Sequence, residues 1–456
     1  MTPKRYWQHD EKLLRSVTDW SLRRLVEGVD PRRRNRSAAE LSGALGETVV
    51  PAGIGGHEAL RLFTDVIVPA TRAQDNPMNL AYVPAAPTEA ALVFDLAVSA
   101  ANIFSGTWEA GAGAVAAENQ ALAWLASLAG WPATAGGCFV SGGTVGNLSA
   151  LVAARERARA RHGDDLPRRW SFAATAEVHS SIRAAARVLD CDVLEVPVDD
   201  QGRMTGEALA STFGRSDLEG VFGVVASAGT TNAGVIDDLA GIADVCQAHD
   251  LWMHVDGAYG AAALVAPSVV DRFAGIEHAD SFVVDPHKWL FAPYDCCALI
   301  YRAPGYGASA HSQFAGYLET LDRAEWNPAD YAVHLSRRAR GLPFWFSLAT
   351  YGTDRYREAV ETVLATTRAV ADEVRARPNL QLVMQPELSV LLFERSGWEM
   401  ADYERWSAQH DEAGTLACAP TRWQGRPVLR FCFINPATAV GEVASVLDSL
   451  GNDAAS

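Results

Sequence analysis

The chain has 456 residues and a net charge of −16, with 49% hydrophobic and 21% charged residues. This length exceeds a single hydrophobic core and predicts two or three domains, and the acidic balance argues against a nucleic-acid-binding surface. No apolar run reaches the roughly 18 residues of a membrane-spanning helix, and the first residues lack the apolar core of a signal peptide. Seven cysteines without a CxxC pair are typical of a reducing compartment. We therefore expect a cytoplasmic protein that binds neither membrane nor nucleic acid, and the sequence has no metal-ligand spacing.

Residues 4–29 have the pattern of one or two amphipathic helices, with an apolar stripe broken by Arg and Asp. The stripe has no partner within its own segment, so it must pack on another part of the protein. The basic run at residues 31–36 could be a polyanion site, but a solvated loop is the favoured interpretation in so acidic a chain.

A glycine-rich loop is the next informative segment. Residues 76–84 are a proline-punctuated loop, and residues 88–104 and 113–129 have helical patterns. A short apolar run then leads into the loop at 141–147 and a helix predicted from 148 to 161. A helix N-terminus presents unpaired N–H groups and a positive dipole, which suit a phosphate. Gly143 lets the backbone approach a ligand closely, and Thr144 adds a hydroxyl donor. Many ordinary turns share this composition.

Strand-like and helical segments alternate from residue 135 to 300, which predicts an α/β fold with a mostly parallel sheet and helices on both faces. Ligands bind at the carboxyl ends of the strands in such sheets. Asp256 lies at such an end, after the apolar residues 251–255. A carboxylate at that depth requires a cationic partner, and the alternative is an Asp that caps the next turn. We expect His254 to support Asp256 from behind.

A second strand end carries a lysine. The apolar run 281–284 stops at Asp285 and Pro286, because proline removes a backbone N–H, and His287 and Lys288 follow. The stem of Lys288 is predicted to lie among the apolar residues 289–291. Burial disfavours an ammonium and should lower the pKa of this lysine, which leaves a neutral amine able to attack a carbonyl. The alternative is a surface lysine whose stem packs on aromatic rings.

Two motifs carry a family resemblance. The segment Asp-Pro-His-Lys-Trp at 285–289 and the segment His-Val-Asp-Gly-Ala-Tyr-Gly at 254–260 resemble the cofactor segments of the pyridoxal-phosphate (PLP) amino-acid decarboxylases, the group that includes the aromatic amino-acid and glutamate decarboxylases. The glycine loop, His-Ser-Ser at 179–181 and Gly-Thr-Thr at 229–231 support this resemblance. It covers about residues 76–435.

The resemblance implies the fold type I architecture of PLP enzymes. We expect an N-terminal helical arm at 1–72 that packs on a partner subunit, a large PLP-binding α/β domain at 73–345, and a small C-terminal α/β domain at 346–456. A homodimer is expected because, in the family, a loop of one subunit completes the site of its neighbour.

The resemblance also implies the cofactor contacts. Lys288 would hold PLP covalently, and Asp256 would keep the pyridine nitrogen protonated, so that the ring acts as an electron sink. His179 would stack on the ring and Ala258 would lie beneath it. Gly143 and Thr144 match the phosphate loop, and the remaining expected cofactor contacts are Thr231, Asp285 and His287. The alternative for His179 is a helix cap, the usual role of a lone histidine at a helix start. The alternative for Thr231 is an ordinary residue of a β-turn.

The expected substrate contacts are Tyr82, Pro84 and Trp108, with plain loop packing as the alternative for the first two. Residues 304–327 are predicted to be irregular, with a composition that favours a loop. Within them, Tyr317 aligns with the family's catalytic-loop Tyr, which returns a proton to the substrate carbon after CO2 leaves. Arg430 interrupts an apolar strand and needs an anion, which is either the substrate carboxylate or an internal salt-bridge partner.

We therefore expect decarboxylation of an L-amino acid with an aromatic or large apolar side chain, favoured by Tyr82 and Trp108. The alternatives are an acidic amino-acid decarboxylase and an oxidative aldehyde synthase, against which Tyr317 argues. A non-enzymatic binding protein of the same fold is disfavoured because Lys288 and Asp256 are both present. The small Gly106 region is expected to admit a bulky group, although aromatic-substrate members carry a bulky residue there. Residues 111–112 also depart from the family's usual Ser-Pro.

Overall fold

The computed structural model describes residues 9–28, 30, 36–313 and 324–451. The helices are α1 (Glu11–Glu27), α2 (Ala38–Leu45), α3 (Gly56–Leu62), α4 (Glu89–Ala101), α5 (Trp108–Leu128), α6 (Gly143–His162), α7 (Ser180–Leu189), α8 (Gly206–Phe213), α9 (Leu239–Ala248), α10 (Pro286–Trp289), α11 (Gly305–His311), α12 (Leu342–Tyr351), α13 (Thr353–Arg375), α14 (Met400–Ala413) and α15 (Val440–Asp448). The strands are β1 (Gly136–Val140), β2 (Ser171–Ala174), β3 (Asp192–Glu195), β4 (Val221–Ser227), β5 (Trp252–Asp256), β6 (Ser281–Val284), β7 (Cys297–Tyr301), β8 (Leu380–Leu382), β9 (Val390–Arg395), β10 (Thr421–Trp423) and β11 (Arg426–Cys432).

A seven-stranded sheet in the order β1-β7-β6-β5-β4-β2-β3 forms the centre of the molecule. Strands β3, β2, β4, β5 and β6 are parallel, and β7 runs antiparallel to both of its neighbours. The predicted mostly parallel α/β sheet is confirmed. Asp256 is paired with Ser227 on one side and with Val283 on the other, so β4, β5 and β6 end at the same edge of the sheet.

Helices cover both faces of this sheet. On one face α5, α8 and α13 pack through side chains such as Leu122, Leu209 and Val363, and on the other face α6 and α7 pack through Leu151 and Ile182. Strands β1, β4, β5, β6 and β7 are buried along their whole length. That double burial explains why they appear in the sequence as continuous apolar runs rather than as alternating patterns.

A second, four-stranded antiparallel sheet, in the order β10-β11-β9-β8, forms near the C-terminus with α13, α14 and α15 around it. Its apolar side chains, among them Phe393 and Phe431, belong to the same core as those of the large sheet. The predicted boundaries at 72/73 and 345/346 remain predictions. No helix in the described part of the chain is long and apolar enough to cross a bilayer.

Two segments differ from the sequence-based expectation. Helix α6 begins at Gly143 rather than at 148, so the predicted glycine loop is already its first turn. A side-chain carbon at Gly146 would lie 2.6 Å from Val283 Cγ1, so glycine is what lets α6 pack against β6. The stretch 304–327, expected to be irregular, begins with α11, and His311 at its end bonds through Nε2 to Ser149 O (2.9 Å).

A buried ion pair ties α5 to the segment before α12. Arg337 Nη2 lies 2.7 Å from Glu118 Oε1, and the two side chains are 1% and 2% exposed. Glu118 Oε1 also accepts the Gly341 N–H (2.7 Å), and Arg337 Nη1 donates to Ser105 O (3.0 Å). The neighbouring Arg338 pairs with Asp95 but is 40% exposed. Arg337 and Arg338 therefore take part in a buried and an exposed ion pair, respectively, and the two pairs can be compared directly.

We predict that Arg337→Met lowers the free energy of unfolding by about 3–5 kcal/mol, because it leaves the Glu118 carboxylate buried without its cation. Arg338→Met should cost less than about 1 kcal/mol, as is usual for an exposed pair. Urea unfolding followed by tryptophan fluorescence measures both. Equal losses in the two variants would contradict the burial argument.

Candidate active site

Lys288 lies just beyond the carboxyl end of β6, in the short helix α10. Its Nζ is 2.9 Å from Asp285 Oδ2, and the Asp285 carboxylate is almost fully buried. Burial favours the neutral amine, but the carboxylates of Asp285 and, more weakly, Asp256 outweigh it and raise the pKa of Lys288. The expectation that apolar surroundings lower this pKa is wrong, because the sequence argument omitted the carboxylate one helical turn away. The lysine must lose a proton before its amine can attack a carbonyl.

Asp285 is the counterion of this lysine. Burial opposes its charge, but the Lys288 ammonium and the nearby His287 hold the pKa of the carboxyl below its usual value. His287 Nε2 lies 3.6 Å from Asp285 Oδ2, and His287 Nδ1 accepts the Cys296 N–H (3.1 Å). Burial lowers the pKa of His287. Asp285 Oδ1 is buried and has no hydrogen-bond partner among the described residues.

Asp256 ends β5, on the strand next to that of the lysine. Its Oδ2 accepts a hydrogen bond from Asn147 Nδ2 (2.9 Å), and its Oδ1 accepts one from the Ala258 N–H (3.2 Å). The bond to the Ala258 N–H is the turn cap that the sequence offered as an alternative. The Asp256 carboxylate also contributes electrostatically to the raised pKa of Lys288 from the neighbouring strand end.

The N-terminus of α6 meets both strand ends. A side-chain carbon at Gly143 would lie 2.9 Å from Ala258 Cβ and 3.4 Å from Asp285 Oδ2, so only glycine allows this approach. The N-cap residue Gly142 contributes no side-chain hydrogen bond to the helix start, and Thr144 is exposed. The first N–H groups of α6 therefore lie beside the lysine and the acid without a side-chain cap, which suits an anion.

His179 caps α7 at the same edge. Its Nδ1 accepts the Ser181 N–H (3.2 Å) and lies 2.8 Å from Ser181 Oγ, and the imidazole is exposed. Ser181 Oγ in turn accepts a hydrogen bond from Asn147 Nδ2 (3.0 Å). The cap role expected for a lone histidine is thus real, and it also fixes the ring beside the strand ends.

Arg430 joins two loops of the site instead of pairing with a carboxylate. Its Nη1 donates to Tyr82 O (2.6 Å), its Nη2 donates to Thr231 O (2.7 Å), and its Nε is shared between Thr231 O and Asn232 O. In the described part of the chain the Arg430 guanidinium donates to carbonyl oxygens and does not form the internal salt bridge that was the alternative prediction. Contact with a substrate carboxylate remains a prediction.

The other expected substrate residues differ from one another in how exposed they are. Tyr82 is exposed and has a φ of 57°, which is uncommon for a non-glycine residue, whereas Pro84 is buried. Trp108 is half-buried at the start of α5, and its backbone N–H donates to Asn327 Oδ1 (2.9 Å). Tyr317 lies outside the described residues, so its predicted role is untested.

The backbone at Gly106 leaves no space for a side chain, such as the bulky residue that aromatic-substrate members carry, and the expectation that this region admits a bulky substrate group stays a prediction. A side-chain carbon there would lie 2.4 Å from Leu335 O and 2.6 Å from Phe104 Cζ. Gly111 is similarly crowded, with Phe104 O at 2.5 Å from such a carbon. The small residues at both positions are therefore required by close backbone packing.

Sequence reasoning missed Asn147 and Ser181, which connect Asp256 to His179. A signal was available: Asn147 lies four residues after Gly143, on the same face of a helix, and Ser181 follows His179 by two. Because the helix is predicted to start at 148, Asn147 falls in the preceding loop and not on a helical face with Gly143. His254 was expected behind Asp256, and it is fully buried there with Nε2 2.9 Å from Asn147 Oδ1.

This combination of a lysine, an acid and an uncapped helix start has a match among known proteins. A family model described as the pyridoxal-dependent decarboxylase conserved domain matches residues 58–395, well over half of the chain. The chain belongs to the pyridoxal-dependent decarboxylases. The resemblance inferred from residues 254–260 and 285–289 is confirmed, and the decarboxylase is a PLP-dependent carboxy-lyase.

The relatives of the decarboxylase carry different substrate names. It is 30% identical over 422 residues to the aromatic-L-amino-acid decarboxylase of Bacillus atrophaeus, covering 89% of this chain and 87% of the relative. It is 33% identical over 392 residues to the L-2,4-diaminobutyrate decarboxylase of Rhizobium meliloti (83% and 78%). It is 33% identical over 300 residues to an acidic amino acid decarboxylase of Xenopus tropicalis (63% and 58%). The solved structure of mouse CSAD superposes with a TM-score of 0.88 at 26% identity, covering 97% and 98% of the two chains.

The residues at this edge of the sheet fit PLP. Lys288 can supply the amine for its aldehyde, Asp256 the carboxylate for its pyridine nitrogen, and the start of α6 the N–H groups for its phosphate. Gly143 and Ala258 lie so close together that a larger side chain at Gly143 would clash with Ala258, so this side of the site is lined by small residues beside the lysine. The buried Oδ1 of Asp285, which has no partner in the described chain, is a further acceptor at the site.

We predict that Asp285→Asn moves PLP attachment to lower pH. The substitution removes the charge that stabilises the Lys288 ammonium and keeps the burial that opposes it, so the pKa of Lys288 falls and more amine is neutral at a given pH. Stopped-flow absorbance after mixing cofactor-free protein with PLP, repeated from acidic to alkaline pH, measures the rate profile.

Asp295→Asn in the same segment is the matched control, because Asp295 pairs with Arg340 rather than with the lysine. Its profile should coincide with that of the wild type. A profile of Asp285→Asn that stays in place or moves to higher pH would show that Asp285 does not control the lysine.

Proposed function

We propose that the decarboxylase removes the α-carboxyl group of an L-amino acid with an aromatic or large apolar side chain and releases the amine and CO2. The observation that carries the proposal is the placement of Lys288 and Asp256 at the ends of adjacent parallel strands, with Asp256 paired to Val283 of the lysine's own strand. An amine and an acid so placed match the two ends of one pyridine aldehyde.

Bound PLP supplies an electron sink for the electron pair that remains on the substrate carbon when CO2 departs. The chain's own residues would then do three things. Lys288 would hold the cofactor through its amine until the substrate amine replaces it, Asp256 would keep the pyridine nitrogen protonated, and His179 would contact the substrate carboxylate. Tyr317 is proposed to return the proton to carbon. A fixed orientation of the substrate carboxylate would decide which bond to the substrate carbon breaks.

The preference for a large apolar side chain is supported by Tyr82 and Trp108, of which the first is exposed and the second half-buried. Arg430, the cation considered for a side-chain carboxylate, already donates to carbonyl oxygens of two loops. The aromatic-L-amino-acid decarboxylase of Bacillus atrophaeus also aligns with most of both chains.

An acidic or diamino substrate is the second candidate, and the names of two relatives favour it. An acidic side chain needs a cation in the site, so this candidate requires Arg430 to release at least one of its carbonyl partners. Arg430→Gln separates the candidates: it should lower turnover of an acidic substrate much more than turnover of an aromatic one, for which Arg430 only holds the Tyr82 and Thr231 loops.

We predict that a panel of the L-amino acids, including diaminobutyrate, shows the highest rate of CO2 release with an aromatic or large apolar member. Lys288→Ala should reduce that rate by at least about a thousandfold, since the covalent attachment of PLP is lost. Labelled CO2 release measures the rate, and amine, aldehyde and peroxide are quantified in the same samples.

Peroxide and aldehyde in stoichiometric amounts would overturn the proposal in favour of oxidative aldehyde synthesis. Preferred turnover of an acidic or diamino substrate would overturn the substrate class but keep the decarboxylase. Chromatographic removal of PLP followed by its re-addition controls for damage to the protein, because activity should return only with the cofactor.

We also propose a homodimer. Helix α1 has no buried residue, and Leu14, Leu22 and Val26 on it are 56%, 51% and 85% exposed. Beside it lies a cavity of about 570 Å³ with a largely apolar lining that includes Leu96 and Tyr294. Exposed apolar surface of this extent is typical of a protein–protein interface. The predicted helical arm would therefore pack on the partner subunit.

The wild-type chain should sediment as a dimer at micromolar concentration. Val26→Glu should raise the dimer dissociation constant at least about tenfold, because a charge is buried in an apolar contact. Val188→Glu is the control, since Val188 is similarly exposed (71%) but lies on α7, away from the arm. A monomeric wild-type chain, or equal effects of the two substitutions, would refute this interface.

The cellular setting also remains a proposal. All seven cysteines lie in the described part of the chain, and each is a free, buried thiol. Burial raises the pKa of Cys138 to about 12, so this thiol is unreactive. The absence of paired cysteines among these seven is typical of a reducing, cytoplasmic setting.

A further inference from the structure

A line of hydrogen bonds crosses the sheet behind the active site. Trp252 Nε1 donates to Ser281 Oγ (2.9 Å), Ser281 Oγ lies 2.8 Å from His254 Nδ1, and His254 Nε2 lies 2.9 Å from Asn147 Oδ1. All four side chains are at most 1% exposed. Polar groups at that depth are costly unless their hydrogen bonds are complete, so this line is a built part of the site.

The amide of Asn147 is where the line divides. Its Nδ2 donates to Asp256 Oδ2 (2.9 Å) and to Ser181 Oγ (3.0 Å), and Ser181 Oγ lies 2.8 Å from His179 Nδ1. One amide group therefore contacts the acid proposed for the pyridine nitrogen and, through a hydroxyl, the imidazole proposed for the ring face.

All of these hydrogen bonds can form with one assignment of donors and acceptors along the line. A carboxylate can only accept, so Asn147 Nδ2 faces Asp256 and Asn147 Oδ1 faces His254 Nε2, which must be the donor. Ser281 Oγ, which accepts from the Trp252 indole N–H, then donates its own proton to His254 Nδ1. Burial lowers the pKa of His254 to about 4, so its ring is neutral and carries a single proton. That proton is then on Nε2 and is donated to Asn147 Oδ1, which turns the amide nitrogen toward Asp256 and Ser181.

The same assignment continues to His179. Ser181 Oγ accepts from Asn147 and therefore has its own proton free to donate to His179 Nδ1, which also accepts the Ser181 backbone N–H. With two donors directed at Nδ1, the neutral ring carries its proton on Nε2.

We propose that Asn147 is a positioning residue that sets the orientation of Asp256 and the tautomer of His179 together, and that His254 sets the orientation of Asn147. The inference rests on the proposed roles of Asp256 and His179 at the cofactor. It goes beyond them by assigning both to one amide, so that a change at Asn147 alters the groups at the nitrogen and at the face of the pyridine ring together.

Nitrogen-15 NMR of histidine-labelled, cofactor-free protein at neutral pH tests the tautomers directly, without any turnover. His179→Gln and His254→Gln identify the two resonance pairs. In the wild type, both rings should show a protonated Nε2 and an unprotonated Nδ1. In Asn147→Leu, which matches the amide in shape, the His179 signals should shift part of the way toward a mixture of tautomers. Ser181 Oγ is then free to accept instead of donate, and only the Ser181 backbone N–H (3.2 Å) still requires Nδ1 to be an acceptor.

Binding of PLP provides a second readout. Asn147→Leu should raise the dissociation constant of PLP by about tenfold or more, the loss expected for one hydrogen bond to a carboxylate. Asn379→Leu is the matched control, because the Asn379 amide bonds to Leu450 O in the C-terminal part of the chain. That control should leave both the tautomers and the PLP affinity unchanged.

If Asn147→Leu fails to fold, Ser181→Ala provides a second test, because it removes only the link between Asn147 and His179. It should shift the His179 signals in the same direction, with only the Ser181 backbone N–H left as a donor to Nδ1, while the tautomer of His254 stays as in the wild type. A wild-type His179 protonated on Nδ1, or a His179 tautomer unaffected by both substitutions, would overturn the inference. The expected tautomers in a protein that decarboxylates no amino acid would instead refute the proposed function and leave the role of Asn147 intact.

Discussion

The site depends on the parallel register of β5 and β6, which brings a carboxylate and an ammonium to the same edge of a buried sheet. Neither charge is stable at that depth alone. Lys288 is balanced by the charge of Asp285, and the Asp256 carboxylate accepts two hydrogen bonds from neutral donors, so each charge at the strand ends has a partner. The uncapped start of α6 then faces a place that is already electrostatically prepared for an anionic, aromatic cofactor.

Much of this arrangement was predictable from sequence because it depends on local patterns. Continuous apolar runs marked the buried strands, and the acid and the lysine followed directly at two of their ends. What failed depended on contacts between distant segments. The pKa of Lys288 was predicted in the wrong direction because the balance between burial and the Asp285 charge is a matter of a few ångströms. The lack of space for a side chain at Gly106 likewise comes from the Leu335 carbonyl, more than two hundred residues further along the chain, and no local pattern reports that contact.

Arg430 shows a third kind of difference. An arginine in an apolar strand correctly indicated a group that needs acceptors, but the sequence argument considered only carboxylates. Backbone carbonyls of irregular loops are equally good acceptors and leave no trace in composition. The same reasoning applies to Asn147: its type was visible, but its partners come from β5 and α7 and become neighbours only when the sheet is assembled.

The Arg430 contacts also link the two sheets mechanically. This side chain belongs to β11 of the small sheet, yet it donates to carbonyl oxygens at Tyr82 and Thr231, on two loops beside the large one. Rotation of the small sheet away from the large one would break these bonds together. The arginine therefore holds both loops against β11, so that the loss of this one side chain would release the two loops at once.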